Sequence, residues 1–360
     1  MIIDISNSGF KKIFQDEELF LPKRWNGIDF IAELRKLFDL YIDHLKKAPS
    51  ARKKYGVEIG DIHSVTELLI WTIKDYMDGY PKKAYDTFSQ LMDILKRRPF
   101  EDAVLNESLQ IILYRAVKEK TDTSRTRMFH TPYNMRSKVA TCRYSIAGFP
   151  CLYLGTSLDL CCTEIRKSPG DSVLASAFKV TDSIILNKKI RVFDLAVKPQ
   201  DLLGQENETE SQSQHISSIP LSNLSNKKRY AYLLWYPVIA ACSYIRAFPD
   251  APFAAEYIIP QLFMQWIRKI HPVTNSSKVT GIRYFSCASK TASNMGYNYV
   301  FPTSGVEYSS VYRFCKYLIT AFSLTEPVFV HDSISRSYCE HYLNKQQFDT
   351  IVPLSESIIL

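Results

Sequence analysis

The segment at residues 143–165, RYSIAGFPCLYLGTSLDLCCTEI, decides how the rest of the sequence is interpreted. Its run PCLYLGT, at residues 150–156, is short, apolar and rich in β-forming residues, which predicts a buried strand. We expect a turn after this strand, and then a helix that begins near Asp159 and carries Glu164 inward. Because a buried carboxylate is costly unless it is paired or used, Glu164 requires either a cation or a chemical role.

Two arginines are candidates for that cation. Arg143 opens the segment, and Arg115 lies in a second apolar run, IILYRAV at residues 111–117. An arginine in an apolar strand is expected to meet an anion or a carboxylate. On the residues alone, two interpretations stay open. Either Arg115 or Arg143 pairs with Glu164 and holds the strands together, or these charges line an active site.

The first hundred residues predict a small helical domain without a catalytic pattern. Apolar residues recur at three- and four-residue spacing over residues 28–47 and 82–97, which is typical of amphipathic helices. A further helix is expected over residues 63–78, where Ser64-x-x-Glu67 has the form of a capping box.

From about residue 110 the sequence changes to short β-rich runs and then to mixed segments. The predicted strands lie at residues 111–117, 150–156, 173–180, 189–196 and 281–289. Residues 230–245 fit a buried strand or a helix, whereas residues 256–271 predict a helix with Pro260 in its first turn. The polar stretch at residues 205–228 predicts a surface loop or a locally disordered insertion, and is a candidate gate. The predicted fold class is α+β.

The composition is ordinary for a globular protein, with 46% hydrophobic residues in a chain of 360 residues. The net charge of +8 is spread along the chain, so a small anionic ligand fits it as well as a nucleic acid does. No apolar run is long enough to span a bilayer, and the start lacks the features of a signal peptide, so a cytoplasmic protein is expected. The eight cysteines form no CxxC pair, which predicts reduced core thiols and no zinc site.

The patterns GxGxxG, GxxxxGK[ST], HExxH and GxSxG are missing from the sequence. Arg125 and His130 match the R-x4-H spacing of the HEPN ribonucleases, whose motif lies on a helix of an all-α fold. Here the two residues lie beside Pro132 and next to the β-rich region. A non-enzymatic or RNA-directed HEPN-like interaction module therefore stays an alternative, in which Arg125 and His130 carry the function.

A set of motifs between residues 110 and 300 resembles the RES domain family, which is named for its Arg, Glu and Ser. The spacing from the Leu-Tyr-Leu strand to Glu164 is the most specific part of the resemblance. The motifs follow the order of the family: Tyr114-Arg115, Arg143-Tyr-Ser-x-x-Gly-x-Pro-x-Leu-Tyr153-Leu, Glu164, Tyr257-x-x-Pro-Gln261-x-x-x-x-Trp266-Ile-Arg and Gly281-Ile-x-Tyr-x-Ser286.

The resemblance implies an ADP-ribosyltransferase-like mixed α/β fold for a RES domain at residues 109–360, with the polar insertion at 205–228. The helical region at residues 1–108 is similar in character to the HEPN-like domain that precedes RES in some bacterial proteins. The implied activity is cleavage of the nicotinamide–ribose bond of NAD by a glycohydrolase or phosphorylase that serves as a bacterial toxin or antiphage defence effector. The alternative enzyme is an ADP-ribosyltransferase that modifies a protein target.

The resemblance also implies the site residues. Glu164, Arg115 and Ser286 match the three catalytic residues of the family. In some members the serine lies instead before the Gln-containing helix, where this sequence has residues 256–258, EYI. The residues implied to bind NAD are Arg143, Tyr144, Tyr153, Tyr257 and Gln261.

The same resemblance gives NAD as the substrate and implies no prosthetic group and no metal. The implied partners are an antitoxin or other regulatory protein and further copies of the chain. A membrane is not implied, and nucleic acid is disfavoured as a partner.

Overall fold

The computed structural model of the chain describes residues 12–49, 52–53, 56–96, 103–104, 112–181, 190–203, 226–270, 279–303 and 313–351, with the backbone alone at 96, 103–104, 202, 226–229 and 279–280. Helices in the N-terminal region and a mixed sheet confirm the predicted α+β class. Within the described ranges, no helix is long and apolar enough to cross a membrane.

Two compact units make up the chain. The first contains Met1–Glu101 and Leu195–Phe263, and the second contains Asp102–Asp194 and Met264–Leu360. These units are defined by their internal contacts and are not domains in the sense of the sequence analysis. The division into domains at residues 1–108 and 109–360 stays a prediction.

The first unit contains the three predicted N-terminal helices, α1 (Phe30–Lys47), α2 (Ile59–Met77) and α3 (Pro81–Lys96). Asp29 caps α1, because its side chain accepts a hydrogen bond from the backbone N–H of Ala32. The apolar stripe of α1 is buried and consists of Phe30, Leu34, Leu37, Phe38, Tyr41, Ile42 and Leu45.

The predicted capping box at Ser64 is wrong. Helix α2 begins five residues earlier, at Ile59, so Ser64 lies inside the helix. Its hydroxyl donates to the carbonyl oxygen of Gly60 at 2.9 Å, one turn back, instead of accepting from a free N–H group.

The segment that periodicity left undecided, residues 230–245, is largely helical. It belongs to α5 (Asn226–Ala241), which contains Pro237, and Tyr41 of α1 donates its hydroxyl hydrogen to the carbonyl oxygen of Leu233. Residues 226–228 of the predicted polar insertion form the start of α5, and residues 205–225 lie outside the described residues.

Helix α6 (Ile258–Ile270) follows a short 3-10 helix at Ala255–Tyr257, and Pro260 lies in its first turn as predicted. The boundary between the two units falls inside α6.

The second unit is built on one sheet of nine described strands. They are β1 (Ala103–Val104), β2 (Leu113–Lys118), β3 (Cys151–Gly155), β4 (Val173–Val180), β5 (Ile190–Asp194), β6 (Val279–Phe285), β7 (Tyr297–Pro302), β8 (Phe322–Leu324) and β9 (Val328–Phe329). Their order is β1-β5-β6-β7-β3-β2-β4-β8, with β9 paired to β4. Strands β5 and β6 are parallel, and the other described pairs are antiparallel.

Each face of this sheet has its own apolar core, because successive side chains of a strand point to opposite faces. On one face, here called the α4 face, the core includes residues of α4 (Leu158–Glu164) and α8 (Arg336–Asn344). On the other, the α7 face, it includes residues of α7 (Lys316–Ala321). Strand β2 divides accordingly, since Tyr114 and Ala116 belong to the α4 face whereas Leu113 and Val117 belong to the α7 face.

Candidate active site

Glu164 is the last residue of α4, and its side chain is exposed. The helix is capped by Ser157, whose hydroxyl accepts from the N–H of Leu160 at 3.2 Å. It buries Leu158, Leu160, Cys161 and Cys162, and thereby leaves Glu164 on the open side. The expectation that the helix carries Glu164 inward is therefore wrong, and the carboxylate is accessible to a ligand.

Helix stability does not explain a carboxylate at this position. The C-terminal end of a helix carries partial negative charge, so an anion there is unfavourable. The last turn of α4 contains no basic residue that offsets it. Glu164 therefore occupies a place where a residue selected for stability alone would be neutral or basic.

A hydrogen bond from a neighbouring strand holds the Glu164 carboxylate. The side-chain amide of Asn298, on β7, donates from Nδ2 to Oε1 of Glu164 at 2.5 Å. Within the described part of the chain, Glu164 has this hydrogen bond and forms no ion pair. The strand-clamping ion pair with Arg115 or Arg143, one of the two interpretations of the sequence, is not formed.

Arg115 lies on the α7 face, between Leu113 and Val117. Its Nη1 donates to the carbonyl oxygens of Met128, at 3.0 Å, and Phe129. Burial, together with the nearby charge of Arg127, lowers the pKa of Arg115 to about 10. The structure thus joins Arg115 to the backbone at residues 128–129 and does not bring it to Glu164.

Arg143 and Tyr144 lie at the tip of a tight turn. Cys142 and Ser145 close it, with the N–H of Cys142 donating to the Ser145 carbonyl at 2.9 Å and the N–H of Ser145 donating back at 3.2 Å. Tyr153 of β3 holds the turn from beneath. Its hydroxyl oxygen accepts from the N–H of Tyr144 at 3.3 Å and lies 3.0 Å from the Ser145 Oγ.

Burial keeps the Tyr153 phenol neutral. It raises the pKa of Tyr153 well above its ordinary value, and neighbouring groups raise it further. Tyr153 and Tyr144, both expected to bind NAD, are therefore placed under and within the turn that carries Arg143.

Tyr284 of β6 lies beside Tyr144 and stands opposite Asn298 in the sheet. Its ring lies 4.7 Å from that of Tyr144, with an interplanar angle of 53°. Burial raises the pKa of Tyr284 well above its ordinary value; the Glu164 carboxylate raises it further, and Arg143 lowers it. The same three causes act on Cys287: burial raises its pKa, Arg143 lowers it and Glu164 raises it, and the net result is a pKa of about 11. Glu164 and Arg143 thus both influence the ionisation of Tyr284 and Cys287.

Ser286 directly follows β6 and is fully buried. Its Oγ accepts from the N–H of Ala288 at 3.2 Å, a local turn contact. Tyr257 and Gln261 belong to the first unit. There the guanidinium carbon of Arg246 lies 5.3 Å from the centre of the Tyr257 ring, and Gln261 is buried in α6.

Sequence reasoning missed Asn298 because it missed β7. The run YNYVFP at residues 297–302 has an aromatic residue at every second position and also contains a β-branched valine, a pattern typical of a strand. Asn298 stands directly opposite Tyr284 on β6 and opposite Gly155 on β3. Asn298 is a polar residue within this apolar run, and a polar residue at a buried position is a signal for a site residue.

Arg125 and His130, the residues of the HEPN-like alternative, are engaged in structural contacts. Nδ1 of His130 donates to the Thr131 carbonyl and Nε2 accepts from the N–H of Cys315, each at 2.9 Å. Burial lowers the pKa of His130 to about 3, so the ring stays neutral. Arg125 forms ion pairs at 2.6 and 3.0 Å with Glu326 and Asp349.

Among the described residues, no group of three or more His, Cys, Asp or Glu side chains is placed to hold a metal ion. All eight cysteines are free thiols, and Cys142 is the exposed one. The charged and polar side chains near Tyr284 include those of Glu164, Arg143 and Asn298.

The chain is similar to a Bacillus subtilis (strain 168) protein named "Putative toxin YopC". The two are 28% identical over 316 residues, which cover 85% of this chain and 67% of the relative. No protein-family model matches the chain. No solved structure matches it.

Proposed function

We propose that the protein consumes NAD by cleaving its nicotinamide–ribose bond. The observation that carries the proposal is the exposed Glu164 carboxylate, held by Asn298, which stands opposite Tyr284 in the sheet, while the Tyr284 ring packs on Tyr144, the neighbour of Arg143. A fixed anion and a nearby cation suit a substrate that has a positively charged ring at one end and a pyrophosphate further along.

The chemistry of the reaction matches the residue at the end of α4. When the bond from nicotinamide to ribose breaks, the ribose gains oxocarbenium character and nicotinamide leaves as a neutral molecule. A carboxylate directed at the ribose stabilises that positive charge and orients the 2′-hydroxyl or an acceptor. Glu164 is the carboxylate in this role, and its exposure leaves room for the sugar.

Arg143 is assigned to the pyrophosphate, because a guanidinium binds phosphate oxygens through paired hydrogen bonds. Its turn is supported from below by Tyr153 and flanked by the ring pair of Tyr144 and Tyr284. These tyrosines position Arg143. Arg115 and Ser286 support the surrounding backbone in this proposal, through the contacts with residues 128–129 and 288.

We further propose that the protein acts as a toxin or defence effector. Support comes from the relative, whose name describes it as a toxin. Loss of NAD would stop redox metabolism, so an enzyme with this activity would be harmful to the cell that contains it. An antitoxin or other regulatory partner follows from the same reasoning.

The test is incubation of the purified protein with adenine-labelled NAD, with and without phosphate, and identification of the products by mass. Hydrolysis yields nicotinamide and free ADP-ribose, whereas phosphorolysis yields nicotinamide and ADP-ribose 1″-phosphate. Label that becomes attached to added protein instead indicates ADP-ribosyl transfer. Intact NAD under all conditions, with protein that is folded by circular dichroism, contradicts the proposal.

A further inference from the structure

We infer that Asn298 is a positioning residue that holds the Glu164 carboxylate in its reactive orientation; this inference rests on the proposed function. It adds to the site a residue that lies outside all of the sequence motifs described above.

The amide is buried and fixed in the middle of the sheet. Asn298 is 5% exposed and lies on β7, which has β6 on one side and β3 on the other. An ionised carboxylate only accepts hydrogen bonds, so the amide must present its N–H₂ group to Glu164, as it does through Nδ2 at 2.5 Å. Bonds from a donor to a charged acceptor are short and strong.

The backbone beside Asn298 leaves room for this contact. Gly155 stands opposite Asn298 on β3. A Cβ atom at Gly155 would lie 3.5 Å from Oδ1 of Asn298 and 2.8 Å from Sγ of Cys161 on α4. The missing side chain thus allows both the Asn298 amide and α4, which carries Glu164, to approach β3.

Without Asn298, little would fix the carboxylate. Glu164 is exposed, ends its helix, and has no ion pair among the residues that the structure describes. A long, exposed side chain samples several rotamers, and selecting one costs conformational entropy. A donor on a rigid strand selects that rotamer before substrate binds, which is the preorganisation that an electrostatic role requires.

The kinetic test compares NAD turnover by the wild-type chain, Asn298→Leu, which keeps the branched shape but removes the donor, and Asn298→Asp, which places a second carboxylate beside Glu164. We expect kcat to fall about 10- to 100-fold in both variants, with KM changed less than about threefold, because the substrate still binds but meets a misplaced carboxylate. On a Glu164→Gln background the Asn298→Leu substitution should cost at most about twofold, since the two residues act as one unit.

Asn344→Leu is the matched control. Asn344, on α8 in the same unit, accepts a hydrogen bond from the Tyr114 hydroxyl at 2.9 Å, whereas the described hydrogen-bond partner of Glu164 is Asn298. Its kcat should stay within about twofold of the wild type. If the wild type consumes NAD and Asn298→Leu keeps the kcat of this control, the inference is overturned while the proposed function stands. A wild type that leaves NAD intact instead overturns the proposed function.

A spectroscopic measurement tests the contact without substrate. In the nitrogen–proton spectrum of the wild type, the Asn298 amide proton that faces Glu164 should resonate downfield of ordinary asparagine amides, as expected of a short bond to a charged acceptor. Glu164→Ala should move it back upfield. A resonance that is the same in both proteins shows that the carboxylate is not held by Asn298, and overturns the inference whatever the substrate is.

Discussion

The side chains of Arg115 and Asn298 leave the sheet on opposite faces. Asn298 is opposite Gly155 in the register, Gly155 is opposite Tyr114, and Arg115 is the next residue of the same strand. Since neighbours along a strand alternate between faces, the guanidinium of Arg115 is directed away from the face on which Asn298 holds Glu164. Arg115 and Glu164, which the sequence motifs place in one site, therefore lie on opposite faces of the sheet.

Arg115→Ala is therefore expected to reduce stability. The substitution removes the donor of the carbonyl groups of Met128 and Phe129, which are buried residues, and a buried acceptor without a donor costs about 1–3 kcal/mol in unfolding free energy. Urea denaturation measures this loss. The control is Arg313→Ala, at an exposed arginine of the same unit, where we expect a change within about 0.5 kcal/mol. If the Arg115→Ala protein is as stable as the control but does not consume NAD, Arg115 has a catalytic role and the structural assignment is wrong.

Gly155→Ala is expected to separate α4 from β3. The added Cβ would lie 2.8 Å from Sγ of Cys161, so the helix must shift, and overpacking of this kind costs about 1–3 kcal/mol. Because α4 carries Glu164, NAD turnover should fall together with stability. Gly60→Ala is the control, because no atom of the described residues beyond its chain neighbours and its own helix backbone lies within 4 Å of a Cβ at Gly60. Equal behaviour of the two variants in thermal unfolding and turnover would contradict this packing.

His130 is expected to make stability depend on pH. Its pKa is about 3 in the folded chain against an ordinary value of 6.5, so between these values the unfolded chain binds a proton that the folded chain does not. The free energy of unfolding should therefore fall as pH is lowered below 6.5, by about 1.4 kcal/mol per unit from this group. Urea midpoints at pH 8, 6, 5 and 4 measure the slope.

His130→Gln supplies the comparison, because glutamine still offers an acceptor to the N–H of Cys315 but does not titrate. Its unfolding free energy should fall less steeply than that of the wild type below pH 6.5, and the difference between the two should be constant above it. Parallel slopes in the acid range would show that His130 is protonated in the folded chain. The HEPN-like alternative, in which His130 exchanges a proton, would then gain support.

Much of the fold could be predicted from local patterns. Strand β4 has the predicted bounds at residues 173–180, because its apolar run is flanked by polar residues. Helices α1 and α3 lie within a residue or two of their predictions, since each buries one regular stripe. The spacing of apolar residues did not identify α5 as a helix, because its described side chains are apolar on all sides and show no helical period.

The arrangement of the site depended on pairing that no single segment reveals. The sequence indicates that Glu164 and Arg143 matter, but their surroundings come from β6 and β7, more than 100 residues further along the chain. Strand register also decides the face of Arg115, and register is a property of the assembled sheet. The exposure of Glu164 followed from the length of α4, whose end the sequence did not mark with glycine or proline.

The measurement that tests the account most directly is the initial rate of NAD loss for the wild type, Glu164→Gln and Asp159→Asn, together with the melting temperature of each. Asp159 is the matched control, an exposed carboxylate in the first turn of the same helix, 3.8 Å from Arg336. We predict that Glu164→Gln lowers the rate on the order of 10²- to 10³-fold without lowering the melting temperature, whereas Asp159→Asn keeps the wild-type rate. A Glu164→Gln protein that consumes NAD at the wild-type rate would contradict the central claim.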